Sequence, residues 1–218
     1  MGIDTKQFHY RGSTFFFDCQ FCDESLEEDS FGFGVAREIY IRDCYFKWHP
    51  SSVYDRASTV IDVGANRGAF SALMTTRAKF ILSVECQGQY VPIIQHHMNK
   101  NNYTNYAIET AFVGNGGMFA ESNSPKLTIE ELLYRHNIEF VDLIKLDIEG
   151  SEFALFSSTD WLKRVNAISM EVHPHFGDPD IILKSIKHHG FACMIADENL
   201  QRVKDGKEAS FIYAWKIA

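Results

Sequence analysis

No apolar stretch in this 218-residue chain approaches the roughly 18 residues that a membrane-crossing helix needs. The N-terminus carries no basic segment followed by an apolar one. A cytoplasmic protein with no membrane partner is therefore the expectation. Basic runs are missing too. Twenty-one Lys and Arg stand against 29 Asp and Glu, for a net charge of −8, and no Lys/Arg-rich run offsets it. That balance argues against nucleic acid as a partner and leaves room for a site that binds a small cation. The five cysteines (Cys19, Cys22, Cys44, Cys86, Cys193) cannot all pair, and their scatter fits reduced thiols. Cys19-x-x-Cys22 lacks the second CxxC or HxxxH that a zinc site requires, so no metal or redox role is expected of it. Internal repeats and low-complexity tracts are also missing. Hydrophobic residues make up 45% of the chain, ordinary for a globular protein with a sizeable core.

The chain divides by composition. Residues 1–57 are aromatic (Phe15, Phe16, Phe17, Phe31, Phe33) and hold an acidic cluster from Asp23 to Asp29. They read as a lead-in of short strands packing on a main domain at 58–218. Trp48 and these phenylalanines either line an apolar or sugar-stacking pocket or bury the lead-in against the sheet, and burial is the stronger expectation. From residue 58 on, strand and helix signals alternate. Strands are expected at Thr59–Val63, Phe80–Val84, Tyr106–Val113, Phe140–Leu146 and Ala167–Val172, with two more at Phe191–Ile195 and Phe211–Ile217. Between them lie a helix over Gln89–Asn99, a capping box at Thr128-x-x-Glu131, and a helix opened by Asp178-Pro179 and stopped by Gly190. Alternation implies a mostly parallel sheet with helices on both faces. The last two strands, with no helix between them, imply an antiparallel pair at the sheet's edge.

The densest signal is Thr59–Phe70, TVIDVGANRGAF. A β-branched run ends in a glycine turn, and apolar residues at helical spacing follow. Such a turn presents backbone N–H groups at a crevice where a nucleotide-like ligand can lie. Glu85 follows Gly64 by about 20 positions at the end of the next apolar run, where an acidic side chain can accept from ribose hydroxyls. The spacing Gly64-x-x-x-Gly68 is not the GxGxxG of a dinucleotide site. Asp62 beside the turn would repel a pyrophosphate and attract an ammonium or sulfonium. A methyl donor, S-adenosylmethionine, is favoured over NAD.

A second cluster is DLIKLDIEGSE, Asp142–Glu152. Asp147 stands at the carboxyl end of its strand with Glu149 and Glu152 close behind, and Met170-Glu171-Val172-His173 brings two more polar side chains to the same edge. Glu149 and Glu152 have a plainer reading as helix N-terminal charges.

These segments resemble the FkbM family of S-adenosylmethionine-dependent methyltransferases. The matching pieces are VIDVGANRGAFS (Val60–Ser71), SVECQGQY (Ser83–Tyr90), LTIEELL (Leu127–Leu133) with DLIKLDIEGSE, and SMEVHP (Ser169–Pro174). The resemblance covers roughly Arg37 to the C-terminus and departs at Cys86-Gln87, where the family tends to have Pro-Asn. It implies a Rossmann-like class I methyltransferase fold, α/β, with a seven-stranded mostly parallel sheet, an antiparallel C-terminal strand and helices on both faces. It also implies O-methylation of a sugar or secondary metabolite, with S-adenosylhomocysteine as product.

On this reading the cofactor lies against Asp62, Gly64, Ala65, Asn66, Gly68, Phe70, Ser71, Glu85 and Cys86, with Thr110 and Ala111 beside the adenine and Asp147 near the reacting centre. Tyr45 either closes over the methionine carboxylate or packs. The catalytic candidates are Asp147, Glu149, Glu171 and His173, and His173 is the best-matched base by its ordinary pKa. No resident metal is expected. A divalent ion held by these residues, or by His173, His175 and Asp178, is the alternative way to acidify a hydroxyl. The acceptor is a small molecule or glycan, and the oligomeric state is monomer or homodimer. An N-methyltransferase of the same fold and a non-catalytic cofactor-binding domain are the competing functions.

Overall fold

A computed structural model describes residues 6–21, 31–119 and 123–217. Cys22 and the Asp23–Asp29 cluster fall outside the described residues, as does the side chain of Phe31.

The described chain opens with a hairpin of β1 (Gln7–Tyr10) and β2 (Ser13–Phe16), turned at Arg11 and Gly12, both with positive φ. Helix α1 (Phe31–Ala36) runs directly into a π-helical turn at Arg37–Ile41, and α2 (Ser51–Arg56) follows. Alternating units come next: β3 (Thr59–Val63), α3 (Ala69–Met74), β4 (Phe80–Glu85), α4 (Val91–Lys100) and β5 (Tyr106–Thr110). The chain then forms β6 (Phe112–Val113), β7 (Lys126–Leu127), α5 (Ile129–Arg135), β8 (Leu143–Leu146), α6 (Glu152–Leu155) and β9 (Ala167–Glu171). It ends with α7 (Pro179–His188), β10 (Phe191–Ala196) and β11 (Phe211–Lys216).

Seven strands form one sheet in the order β10-β11-β9-β8-β3-β4-β5. All are parallel except β11, which pairs antiparallel with β10 and β9. The antiparallel strand is thus inserted beside β9, and β10 takes the edge. The expected strand at Tyr106–Val113 breaks at Ala111. Its last two residues leave the main sheet and pair with β7. Both helix caps read from sequence are present. Thr128 and Glu131 form a reciprocal capping box, and the Asp178 side chain accepts from the N–H of Asp180.

Strand residues alternate between two cores, as the pleat requires. Val60, Ile81 and Leu143 face Tyr10, Phe15, Phe17, Tyr40 and Phe70. Ile61, Leu82 and Ile144 face α5, α7 and Trp161. The lead-in aromatics split: Phe15 and Phe17 are buried, Phe33 is exposed, and the indole N–H of Trp48 donates to the Leu200 carbonyl. No described helix is long and apolar enough to cross a membrane.

Two buried histidines tie the lead-in down. His97 on α4 places Nδ1 2.9 Å from the Arg67 carbonyl oxygen, and its Nε2 accepts from the N–H of Asp18. Nε2 of His49 is 3.0 Å from the Ser169 hydroxyl. Burial pushes His97 down to about 4 and His49 to about 3, from an ordinary 6.5. Both folded values lie below the unfolded one, so the unfolded chain takes up protons first as the medium acidifies. The stabilisation is full above the ordinary value and is lost as pH falls toward the folded ones. From pH 6.5 to about pH 5 the pair should cost about 3 kcal/mol, and thermal unfolding across that range measures it. Replacing both histidines by Gln should remove that loss, and a double variant with the parent's pH dependence would exclude neutral histidines at these positions.

The strand order reverses between β3 and β8. From β3 the chain moves outward through β4 to β5, then returns to the other side at β8 and β9. A crevice opens beyond the carboxyl ends of these two central strands, where ligands bind in open α/β sheets.

Candidate functional site

The Gly64–Gly68 turn is fixed from behind. The N–H groups of Gly64 and Ala65 both donate to the Val84 carbonyl, at 2.9 and 3.0 Å. Gly64 has φ +73, and a Cβ there would lie 1.8 Å from the Asp147 carbonyl oxygen, so only glycine lets the two strand ends meet. Gly68, φ +77, sits against Ile94 at the start of α3.

Asp62 has a different task from the expected one. It is fully buried and lines neither of the cavities described below. One carboxylate oxygen accepts from the backbone N–H of Ser71 (3.1 Å) and its hydroxyl (2.6 Å). The other oxygen makes no hydrogen bond and faces the Lys145 ammonium at 3.3 Å. Asp62 therefore pins α3 to β3 and β8, and its attraction for a cation is met by Lys145. Ala65, Gly68, Phe70 and Ser71 likewise pack behind the turn, and Thr110 lies outside the cavity lining.

Lys145, which sequence reasoning passed over, is the hub of this arrangement. Its Nζ donates to the Gly64 carbonyl (2.6 Å) and stands 3.7 Å from an Asp147 oxygen. Burial works to lower its pKa, but the neighbouring Asp62 and Asp147 carboxylates prevail and raise it. A lysine inside the apolar run Leu143-Ile144-Lys145-Leu146 was the signal, because a buried ammonium needs carboxylate partners.

A cavity of about 410 Å³ lies over the turn, between β3, β4 and the loop after β8. Of the cofactor candidates, Gly64, Asn66, Glu85, Cys86, Ala111 and Asp147 line it, together with the catalytic candidate Glu149 and with Tyr90, Phe112, Met118, Phe119 and Ile148. Glu85 is presented by β4 and held by two backbone donors, Asn66 N–H (2.7 Å) and Gln87 N–H (2.8 Å). Burial, opposed by those hydrogen bonds, raises its pKa. Oε1 also accepts from the Cys86 thiol (3.5 Å), and Oε2, with one donor, retains a lone pair for a ligand hydroxyl. One end of the cavity is thus an anchored carboxylate, the middle is apolar, and the far end is acidic. An adenosyl group with a cationic tail fits that donor set.

At the acidic end, Asp147 accepts from the Tyr45 hydroxyl (2.9 Å), which assigns Tyr45 to positioning Asp147. Glu149, with φ +52, lies 3.3 Å from Nε2 of His173. The Nδ1 of His173 is 3.0 Å from the fully buried Glu152. Burial would lower the His173 pKa, but hydrogen bonds to Glu149 and Glu152 prevail and push it to about 10. A ring held between two carboxylates favours its protonated form, which weighs against the general-base role expected from its ordinary pKa. Glu171 is pushed up to about 8 by burial and by the Asp147 charge.

Glu171 and His173 line a second, larger and more polar cavity of about 810 Å³ with Arg37, Glu38, Arg42, His175 and Asn199. The π-helical turn supplies its Arg37 and Glu38. The pair Glu149–His173 stands where the two cavities adjoin. Asp178, grouped in sequence with the histidines, is occupied as a helix cap instead.

Strand order, the glycine turn and an acidic residue ending β4 define a Rossmann-like methyltransferase fold. Solved structures agree. An rRNA methylase from Streptococcus thermophilus has a TM-score of 0.51 at 12% identity, covering 77% of this chain and 93% of that one. A methyltransferase from Streptococcus mutans, solved in complex with SAH, has the same score and identity over 76% of this chain and 94% of that one. The methyltransferase FkbM from Methylobacillus flagellatus is 13% identical over 73% of this chain and 44% of that one, at a TM-score of 0.49. The methyltransferase FkbM domain model matches residues 119–193, the segment from the cavity wall through Asp147, Glu149, Glu171 and His173. That match is a likeness to the FkbM methyltransferase domain over about a third of this chain. No curated protein matches the chain.

Proposed function

We propose that this protein methylates a hydroxyl of a small polar acceptor, a sugar or secondary metabolite, with S-adenosylmethionine as donor. The observation that carries the reading is the adjacency of two cavities at one acidic edge. One is shaped for an adenosyl group and the other is open and polar, and Asp147, Glu149 and Glu171 stand around their junction. When bound, the donor supplies a methyl group on positively charged sulfur.

The protein's own residues perform the rest. Glu85 accepts from the ribose, and Ala111 and Phe112 flank the base. Asp147, held by Tyr45 and Lys145, faces the cationic end. An alcohol proton is hard to remove at neutral pH, and the carboxylates at the junction are positioned to receive it as the acceptor oxygen takes the methyl. The net charge of −8 supports a small acceptor over nucleic acid. A cytoplasmic location belongs to the same reading.

Thermal unfolding tests the cofactor assignment. S-adenosylhomocysteine at about 100 times its dissociation constant adds about 2.7 kcal/mol, an upward shift of about 5–10 °C for a chain of this size. NAD should give none, and the reverse pattern would exclude the methyltransferase reading. Glu85→Gln should weaken S-adenosylhomocysteine binding about tenfold or more, through loss of charge-assisted hydrogen bonds. Calorimetric titration measures that loss.

A further inference from the structure

We propose that Asp147, Glu149 and His173 bind one divalent cation at the junction of the two cavities. The three residues each place a ligand atom within 4.8 Å of the others. Two carboxylates and one imidazole are a donor set for a hard or borderline divalent ion such as Mg²⁺ or Mn²⁺.

The support behind His173 distinguishes this cluster from a solvated acidic rim. Glu152 is fully buried on the first turn of α6, and its Oε1 meets Nδ1 of His173 at 3.0 Å. The same oxygen accepts from the N–H groups of Gly150 (3.3 Å) and Ile148 (3.4 Å), while Oε2 has no hydrogen-bond partner among the described residues. A buried carboxylate on Nδ1 fixes the ring and its tautomer and aims Nε2 outward. That is how metal-ligating histidines are held. Nε2 points at Glu149, on the side where Asp147 stands.

Charge leads to the same place. Asp147, Glu149, Glu152 and Glu171 gather here; His173 and Lys145 stand among them, and Arg37, Arg42 and His175 line the polar cavity alongside. Lys145 is already taken by Asp62 and the Gly64 carbonyl. A dication displacing the Nε2 proton would offset the excess. It would also receive an acceptor hydroxyl from the polar cavity and lower its pKa. That role rests on the methyl-transfer reading, whereas binding of the ion does not.

The test uses the full chain and Mn²⁺ alone, followed by electron paramagnetic resonance with and without S-adenosylhomocysteine. The expected result is one bound ion per chain with nitrogen hyperfine coupling from a single imidazole, a signature that needs no variant. Glu149→Gln and His173→Ala should abolish tight binding. Glu152→Gln should weaken it about 10–100-fold although it never touches the ion. Glu198→Gln, in the same polar cavity, should leave binding unchanged. Lack of bound Mn²⁺, lack of nitrogen coupling, or affinity untouched by the Glu149 and His173 changes would overturn the site. A retained S-adenosylhomocysteine shift without Mn²⁺ binding removes the metal and leaves methyl transfer standing. Mn²⁺ binding without that shift does the opposite.

Discussion

Replacing Lys145 by Met is expected to lower the midpoint of thermal unfolding by about 6–20 °C. The ammonium faces the Asp62 oxygen that has no hydrogen bond among the described residues, and it also ties the Gly64 carbonyl. Met retains the volume and removes the charge. It leaves the buried Asp62 carboxyl without its cation at the centre of the sheet, and breaking a buried pair on one side costs about 3–5 kcal/mol. For a chain of this length each kcal/mol corresponds to about 2–4 °C. The double variant Lys145→Met with Asp62→Asn should recover much of the loss, because no buried charge then lacks a partner. If the single variant melts like the parent, the ion pair is not the hub described here. The effect reaches binding as well, since Lys145 holds both the glycine turn and Asp147.

The second large effect is expected from Asp147→Asn. The substitution is nearly isosteric, and the Tyr45 hydroxyl can still donate to the amide oxygen, so the fold should change little; the donor's cationic end loses a carboxylate neighbour, and rates are compared at saturating donor. Methyl transfer to a hydroxyl should fall by about 10²–10⁴-fold, the usual range for loss of general acid–base assistance. An amine acceptor needs much less help with its proton. Labelled-donor assays on hydroxylated and amine acceptors therefore separate O- from N-methylation: an equal and small loss on both would rule out a proton-handling role for Asp147.

Local rules carried the sequence reading furthest where a residue's neighbours along the chain decide its state. Thr59–Val63, the Thr128–Glu131 box and the Asp178 cap belong to that group, since their periodicity and capping chemistry are short-range. The break at Ala111 was not legible, because β6 leaves the sheet to pair with Lys126–Leu127, and a partner strand outweighs a continuous β-branched pattern. Asp62 shows the same limit in the site. Its position in the motif says that it must be satisfied, but only the packing of β8 beside β3 reveals that Lys145 does so. His173 meets a related limit: its ordinary pKa suits a base, while the two carboxylates that face it, Glu149 from a loop and Glu152 from α6, stand more than 20 residues upstream.

The contact of Gly64 against the Asp147 carbonyl joins segments more than 80 positions apart in the chain. Both walls of the donor crevice therefore come into being only when that distant pairing is made, so the chain acquires its recognition surface in the same event that completes its sheet. Ligand should accordingly act as a brake on unfolding and leave the refolding rate nearly alone, because nothing short of the assembled sheet offers it a seat.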